Sequence, residues 1–404
     1  MIPVLLIIIY LSFISLGLPD ALLGSAWPVM YQELVVPLSY SGIIFMITAV
    51  GTVISSLCSD RLIRRWGTGW VTFVSVLMTA MAMLGFSITH SFVLLCLWAI
   101  PYGLGAGSVD AALNNYVALH YESRHMSWLH CMWGIGASIG PYIMGMVLAN
   151  GKTWNTGYRT ISLMQFVLAL ILCLSLSLWN REKMEQQPGK GRCEDSDSQV
   201  SQKAEDRPLT IAGILRLSGA KETMICFFCY CALEQTTGLW ASSYLVMERS
   251  VPEITAAKFA SLFFVGITLG RAVSGFITFR LKDDQMVRLG ECIILFGIAC
   301  VLLPVGGGIS LAGFVLIGLG CAPIYPSMLH ATPDHFGKEQ SQAVIGIQMA
   351  SAYIGTSVMP PLFGLLTRWL GTGILPVYLG GILAVMMVMH GRISRKKTGG
   401  ADVL

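Results

Sequence analysis

Long runs of apolar residues, separated by short polar or charged breaks, fill almost the whole chain. A helix needs about 20 apolar residues to cross the hydrocarbon core of a bilayer. Cutting the sequence at its charged and turn-forming positions leaves twelve runs of suitable length, which predicts twelve transmembrane helices. In chain order, the predicted spans 1 to 12 are 3–31, 40–62, 68–89, 92–120, 127–149, 157–180, 219–246, 257–280, 285–305, 308–331, 339–368 and 373–392.

One polar stretch, residues 181–215, interrupts this pattern and divides the spans six and six. Its Pro-Gly step and the polar run 194–202 are typical of a solvated linker. The predicted units are an N-terminal half at 1–180, the linker at 181–215, a C-terminal half at 216–396 and a tail at 397–404. The first apolar run begins almost at Met1 without a basic segment or a clear cleavage site, so we expect a retained helix and not a signal peptide.

The composition agrees with a chain that is solvated mainly by lipid. Hydrophobic residues make up 54% and charged residues 12%, and the mean hydropathy is +0.68. A soluble domain carries about 25% charged residues, so this chain cannot coat a water-facing surface of its size. A soluble enzyme is therefore excluded, and an all-α integral membrane protein is predicted. The net charge of +4 is too small to indicate binding of nucleic acid.

The reactive residue types form no recognisable catalytic or metal site in the sequence. Most of the eleven cysteines lie inside apolar runs, and the pair Cys226 and Cys229 lacks a second pair or a nearby histidine. No G-x-x-x-x-G-K-[ST] motif is present, which argues against a pump driven by ATP. We therefore expect no catalytic residue, no metal and no cofactor.

The basic residues are distributed unevenly between the two sides of the predicted bundle. Of the 26 Lys and Arg residues, about 20 lie in or beside the loops after spans 2, 4, 6, 8 and 10 and at the C-terminus, whereas five lie on the other side. The first group includes Arg61, Arg64, Arg65, Arg124, Arg181, Lys183, Arg280, Lys282, Lys338, Arg395, Lys396 and Lys397. The second consists of Lys152, Arg159, Arg249, Lys258 and Arg368. The positive-inside rule then predicts that the linker and both termini are cytoplasmic. We expect the protein to lie in the plasma membrane.

The two halves look like copies of each other. At an offset of 219 residues Gly51 matches Gly270, Arg61 matches Arg280, Gly136 matches Gly355, Pro141 matches Pro360, and Gly145 matches Gly364. Offsets of 215 and 214 relate Gly103 and Gly105 to Gly318 and Gly320, and Asp20 and Gly24 to Glu234 and Gly238. Duplicated six-span halves around a site at the bilayer midplane are the architecture of secondary transporters.

The loop after span 2 adds a recognisable motif. It reads Ser59-Asp60-Arg61-Leu62-Ile63-Arg64-Arg65 and resembles the conserved loop of the major facilitator superfamily, although Ser56 and Ile63 stand where glycine is expected. This resemblance extends over essentially the whole chain and implies the major facilitator fold, with Asp60, Arg61, Arg64, Arg65 and Arg280 in gating or structural roles.

Within that superfamily the chain is similar to the fucose permease-like sugar transporters. The shared features are Asp20 in span 1, the stretch Gly105 to Asp110 followed by Asn114 in span 4, and Pro323-Ile324-Tyr325-Pro326 in span 10. The resemblance implies that Asp110 carries the coupled proton and that Asp20 lies near the sugar.

Three carboxylic acids lie well inside the predicted spans, where an ionisable group costs at least about 2.5–3.5 kcal/mol and is a functional candidate by default. They are Asp20, Asp110 and Glu234, and we expect them to handle protons because burial favours the neutral form of a carboxyl group. Packing is the alternative for each. Arg271 in span 8 is expected to pair with an acid of the second half or to anchor a gate.

A sugar site needs amides and carboxylates for hydroxyl groups and aromatic rings for the C–H faces. The candidates for substrate contact are Asp20, Trp27, Asn114, His130, Trp133, Glu234, Gln235, Trp240, Tyr325 and Gln348. Trp27 is included because it shares a helical stripe with Asp20 at i, i+7.

Two transport functions remain open at this point. The first is proton-coupled symport of a neutral sugar or similar small solute by a monomer. The second is proton-coupled antiport that exports amphipathic compounds, because Gly136, Gly140, Pro141 and Gly145 in span 5 resemble the signature of drug antiporters. Close helix packing explains the same glycines. A sensor without transport activity is the third class, and it predicts a sizeable partner domain that this sequence lacks.

Overall fold

A computed structural model describes residues 4–20, 22–37, 40–185, 210–251, 253–303 and 306–399. These residues form the twelve helical spans of the predicted bundle. Span 1 consists of Val4–Asp20 and Leu22–Glu33, and spans 2 to 6 are Ser41–Trp66, Thr68–Ile88, Phe92–His120, Ser123–Ala149 and Trp154–Glu185. Spans 7 to 12 are Ala220–Arg249, Glu253–Ile277, Asp283–Leu302, Gly306–His330, Lys338–Leu370 and Leu375–Gly399.

Ten of these helices are long and apolar enough by themselves to cross a membrane, and the apolar helix Phe263–Ile277 belongs to span 8. Because the number of spans is even, the chain begins and ends at the same face of the bundle. We call this face, which also carries the loops after spans 2, 4, 8 and 10, the basic face, and the opposite one the far face. The halves meet mainly where spans 2, 4 and 5 pack against spans 8, 10 and 11.

Several helices run beyond the predicted ends at the basic face. Span 2 continues to Trp66 instead of 62, span 5 starts at Ser123 instead of 127, and span 12 continues to Gly399 instead of 392. The predictions stopped at charged residues. A helix satisfies its own backbone hydrogen bonds whatever its side chains are, and long basic side chains reach interfacial water from its end.

The predicted linker and tail are described only in part. The helix of span 6 extends past 180 to Glu185, and a short helix, Ile211–Ile214, lies inside the predicted linker range. Residues 186–209 of the linker and 400–404 of the tail lie outside the described residues.

Span 1 carries a proline, Pro19, directly before Asp20 in its described helix Val4–Asp20. The candidate membrane span runs on from Val4 to Trp27. A proline inside a helix lacks the N–H that would bond the carbonyl four residues earlier, which here belongs to Ser15. The Gln165 side chain of span 6 donates to that carbonyl over 3.0 Å. The carbonyl is therefore satisfied, although Pro19 cannot donate to it.

The internal repeat is visible in atomic contacts. Gly136 of span 5 lies against the backbone of Ile14 in span 1, so close that an added Cβ would be 2.1 Å from the Ile14 carbonyl oxygen. Gly355 of span 11 meets Phe228 of span 7 in the same way, at 2.4 Å. Ile14 and Phe228 are 214 residues apart, the offset that also relates Asp20 to Glu234. The repeated glycines thus mark equivalent helix crossings in the two halves.

Candidate functional site

Asp20 presents a solvent-exposed carboxylate in the interior of the N-terminal half. Its Oδ1 accepts a hydrogen bond from the Tyr102 hydroxyl over 2.7 Å, and its Oδ2 accepts one from Trp133 Nε1 over 2.8 Å. Tyr102 is buried and Trp133 is half-buried. An acid that is held by two donors and is still exposed at this depth is a candidate for contact with a polar solute.

Asp110 is buried in span 4, with 6% of its surface exposed. Its Oδ1 accepts from Asn114 Nδ2 over 2.8 Å, within the same helix. Its Oδ2 accepts from the Tyr353 hydroxyl over 3.0 Å, and Tyr353 belongs to span 11 in the other half. The carboxyl group of Asp110 therefore takes part directly in the contact between the halves.

His130 of span 5 continues this hydrogen-bonded chain. Its Nε2 lies 3.0 Å from Asn114 Oδ1. Because the amide nitrogen of Asn114 donates to Asp110, its oxygen is the acceptor, so His130 carries a hydrogen on Nε2. The imidazole also packs edge-to-face against Tyr325, with 4.8 Å between ring centres. Span 5 and span 10 are thus both in contact with the surroundings of Asp110.

Glu234 and Arg271 form the predicted acid–base pair inside the C-terminal half. Arg271 Nη2 lies 3.7 Å from Glu234 Oε2 and 3.5 Å from the Tyr230 hydroxyl, and the exposed fractions of Arg271 and Glu234 are 4% and 7%. A buried guanidinium needs such compensation, because an uncompensated buried charge costs several kcal/mol.

Trp133 connects the two groups of charges. Its indole N–H bonds Asp20, while the Arg271 guanidinium lies 5.7 Å from its ring centre. The side chain belongs to span 5 of the N-terminal half, and Arg271 belongs to span 8 of the other half. The structure therefore brings Asp20, Asp110, Glu234, Arg271, Asn114, His130, Trp133 and Tyr325 into one network across the middle of the bundle.

Trp27 is a buried residue of the N-terminal half. It is 4% exposed and belongs to an apolar cluster at the far-face end of the N-terminal half, together with residues such as Phe86 and Tyr158. Trp27 lies seven residues after Asp20, in the described helix Leu22–Glu33. The tryptophan therefore packs in this cluster, and its contact with substrate stays a prediction.

Trp240 and Gln348 also make packing contacts, and Gln235 has no defined role in the network. Trp240 donates to the Pro360 carbonyl over 3.1 Å and packs against Phe363. Gln348 is fully buried and accepts from Thr332 over 3.1 Å, near the basic face. Gln235 is half-buried beside Glu234 in the sequence of span 7.

The residues of the span 2 loop motif hold the halves together at the basic face. Arg64 Nε bonds both carboxylate oxygens of Asp60 at 3.0 and 3.1 Å, and its Nη2 donates to the Glu339 carbonyl of span 11 over 2.9 Å. Close by, Gln342 of span 11 donates to Ser59 over 3.1 Å. Arg61, Arg65 and Arg280 are exposed at the same face.

Other hydrogen bonds between the halves also gather on this side. Ser341 donates to Asn115 over 2.6 Å, and Trp128 Nε1 donates to the Ala272 carbonyl over 3.3 Å. Together with the exposure of Asp20, these contacts describe a bundle that is closed at the basic face, with its central carboxylate accessible to water.

Three tyrosines at the site were not singled out from the sequence: Tyr102, Tyr230 and Tyr353. The residues predicted for the site were mainly acids, amides and tryptophans, whereas a tyrosine in an apolar run is typical of any membrane protein. Within the described residues, no group of three or more His, Cys, Asp or Glu side chains is arranged to hold a metal ion.

The sequence pattern of the Major Facilitator Superfamily matches residues 9–312. The chain belongs to this superfamily. It is therefore a membrane transporter and not an enzyme. Among solved structures, it is similar to that of "a Major Facilitator Superfamily (MFS) transporter, FucP, in the outward conformation", with a TM-score of 0.76 and 15% identity, over 96% of this chain and 98% of that one.

Two relatives in sequence are also similar. Bypass of stop codon protein 6 of Saccharomyces cerevisiae (strain ATCC 204508 / S288c) is 20% identical over 91% of this chain and 78% of its own length. The glucose/mannose transporter GlcP of Bacillus subtilis (strain 168) is 23% identical over 88% of this chain and 86% of its own.

Proposed function

We propose that this transporter moves a neutral sugar, or a similarly polar small solute, together with a proton by alternating access. The observation that carries the proposal is the hydrogen bond from Tyr353 of one half to Asp110 of the other, at 3.0 Å. An ionisable group that touches both halves links its own protonation to their relative position.

The link follows from the hydrogen-bonding capacity of a carboxyl group. The ionised Asp110 only accepts, and its two oxygens take hydrogen bonds from Asn114 and Tyr353. A proton on Oδ2 would turn that acceptor into a donor. The Tyr353 hydroxyl could accept from it only by turning its own O–H toward another acceptor, so proton binding changes the contact between span 4 and span 11.

The neutral-sugar part of the proposal rests on Asp20 and its surroundings. An exposed carboxylate can accept hydrogen bonds from sugar hydroxyls, and the half-buried ring of Trp133 offers a flat face for C–H groups. GlcP is named as a transporter of glucose and mannose, which supports the same substrate class.

The glycine pattern of span 5 that resembles the antiporter signature is weak evidence for drug export. Gly136 and Gly140 both lie against backbone carbonyls of span 1, those of Ile14 and Leu18, where any larger residue would clash. Helix packing therefore accounts for the pattern. The central network is also rich in charged and hydrogen-bonding groups, whereas amphipathic drugs require a mainly apolar surface.

We further propose that the basic face is cytoplasmic in a plasma membrane, as the distribution of basic residues indicates. Uptake experiments in proteoliposomes test the transport proposal, with radiolabelled D-glucose, D-mannose and L-fucose as probes. An inward proton gradient should drive accumulation of at least one hexose, and a protonophore should abolish it. A sodium gradient should have no effect.

The control cargo is ethidium, a cationic amphipathic compound. Proton-driven extrusion of ethidium with no uptake of any hexose would contradict the proposal and favour the antiporter. If hexose only equilibrates across the membrane and the proton gradient has no effect, the protein is a uniporter. The proposed coupling role of Asp110 would then be wrong.

A further inference from the structure

A second cluster of titratable groups lies at the contact between the halves, close to the basic face. His330 at the end of span 10 lies 2.6 Å from Asp283 Oδ2 through its Nδ1 and 3.0 Å from the Tyr121 carbonyl through its Nε2. Asp283 Oδ1 also accepts from Ser123 Oγ. His330 and Asp283 belong to the C-terminal half, whereas Tyr121 and Ser123 belong to the N-terminal half. These four residues form what we call the histidine latch.

The number of hydrogens in the latch follows from its partners. A carbonyl oxygen can only accept, so His330 must carry a hydrogen on Nε2. If Nδ1 also carries one, the ring is a cation beside the Asp283 carboxylate. If Nδ1 is bare, Asp283 itself must be protonated to donate to it. Both arrangements contain one proton more than a neutral histidine next to an ionised aspartate.

Opening of the basic face removes this requirement. When Tyr121 and Ser123 move away, a neutral His330 can donate to Asp283 through Nδ1 and leave Nε2 to water. The extra proton is then free to depart. About 18% of the His330 side chain is exposed in the closed arrangement, so the latch exchanges protons with the solution at the basic face.

No other charged group named around the latch supplies the positive charge that the extra proton brings to His330 and Asp283. Asp334, on the short helix Thr332–Phe336, adds a further negative charge near His330, which favours the cationic ring. Arg124 of span 5 is paired with Glu122 at 3.1 Å and lies over the Phe279 ring.

The neighbouring acid of span 9 is engaged elsewhere. Asp284 lies 3.0 Å from His390 and 3.2 Å from Arg288, and all three residues belong to the C-terminal half. Because that cluster does not cross between the halves, it offers a matched control for the latch.

We propose that the histidine latch is a proton-binding site that holds the basic face closed, separate from the central site at Asp110. Low pH at the basic face stabilises the closed arrangement, and rising pH favours opening. A difference of one bound proton changes the ratio of closed to open molecules by at most about tenfold per pH unit. The proposal needs alternating access of the halves, but it does not depend on the substrate or on proton-coupled transport.

Pulsed electron–electron resonance in lipid nanodiscs tests this directly. Spin labels at 177 in span 6 and 221 in span 7, two exposed positions in different halves, report the separation at the basic face. All measurements use a cysteine-free Asp110→Asn background, which removes the titration of Asp110. The population with a long distance should increase as the pH is raised from about 5 to about 9, the range in which a histidine paired with a carboxylate loses its proton.

Asp283→Asn is the decisive substitution. The side-chain amide that it introduces can donate to a neutral His330 at Nδ1 while its oxygen accepts from Ser123, so each latch contact survives without the extra proton. We expect this variant to remain closed and to lose the pH response. The adjacent Asp284→Asn should keep the response. The proposal is wrong if the open population of Asp283→Asn changes with pH as it does in the parent. It is also wrong if Asp284→Asn loses the pH response.

Ser123→Ala provides a second test that leaves the titrating pair intact. It removes one contact from the opposite half, so the open population should be larger at every pH while its pH dependence is retained. A Ser123→Ala protein with the same open population as its parent would contradict a role for this contact in closure.

Discussion

Tyr353 in span 11 donates a 3.0 Å hydrogen bond to Asp110 in span 4, so one carboxyl group is shared between the two halves of the transporter. The other oxygen of Asp110 is held by Asn114, which in turn accepts from His130 of span 5. The protonation state of one residue therefore affects helices on both sides of the contact.

Tyr353→Phe removes the donor and keeps the ring. A hydrogen bond to a charged group contributes about 1.5–3 kcal/mol, so the balance between the two access states should shift by roughly tenfold or more. We expect proton-driven accumulation of hexose in proteoliposomes to fall sharply, with hexose exchange less affected. Tyr378→Phe is the control, because Tyr378 bonds the Met359 carbonyl within one half. Equal losses in both variants would mean that the inter-half bond has no special role.

Trp133 and Trp27 should differ in what they do for the protein. Trp133→Phe removes the N–H that holds Asp20, so hexose affinity should weaken about tenfold while thermal stability changes little. Trp27→Phe leaves a void in the buried cluster and should lower the melting temperature without changing affinity. Titration of the two purified variants by calorimetry, with parallel melting curves, separates these effects. The opposite assignment would place the sugar beside Trp27, as the sequence had suggested.

The glycines of span 5 provide a test of packing. Gly136→Ala would place a methyl group against the Ile14 carbonyl, which should cost about 1–3 kcal/mol, whereas Gly145→Ala meets no atom within 4 Å. Gly355→Ala at the equivalent crossing should behave like Gly136→Ala. The melting temperatures of the three variants in detergent test this prediction. If Gly145→Ala destabilises as much as Gly136→Ala, close approach is not the reason for the pattern.

Orientation in the membrane can be tested by labelling. In a cysteine-free version, Glu122→Cys lies at the basic face and Lys152→Cys lies at the far face, both at exposed positions. In intact cells, an impermeant maleimide should label position 152 and leave position 122 protected until the cells are permeabilised. The reverse pattern would place the basic face outside.

The sequence predicted the architecture well because membrane burial leaves a strong signal. Apolar runs of bilayer length indicated the spans, and the equal offsets of Gly136 to Gly355 and of Pro141 to Pro360 indicated the repeat that the helix crossings show. The Arg271–Glu234 pair could be expected because two opposite charges inside a bilayer need each other.

The parts of the site that were missed depend on geometry beyond one helix. Trp27 was selected from its spacing to Asp20 along one helix, and that spacing does not reveal its burial in the apolar cluster that includes Phe86 and Tyr158. Tyr353 gives no polar signal in an apolar run, and its partner lies 243 residues away in the chain. Contacts between the two halves have no short-range pattern that a single sequence reveals.

Transport by Asp110→Asn tests the proposed coupling most directly. The amide mimics a permanently protonated acid, so the loaded carrier should still reorient and exchange hexose across the membrane. It should not accumulate hexose against a gradient, because no proton can be released from position 110. Measured in the same proteoliposomes, retained exchange with lost accumulation is the result we predict. Full pH-driven accumulation by Asp110→Asn would contradict the account.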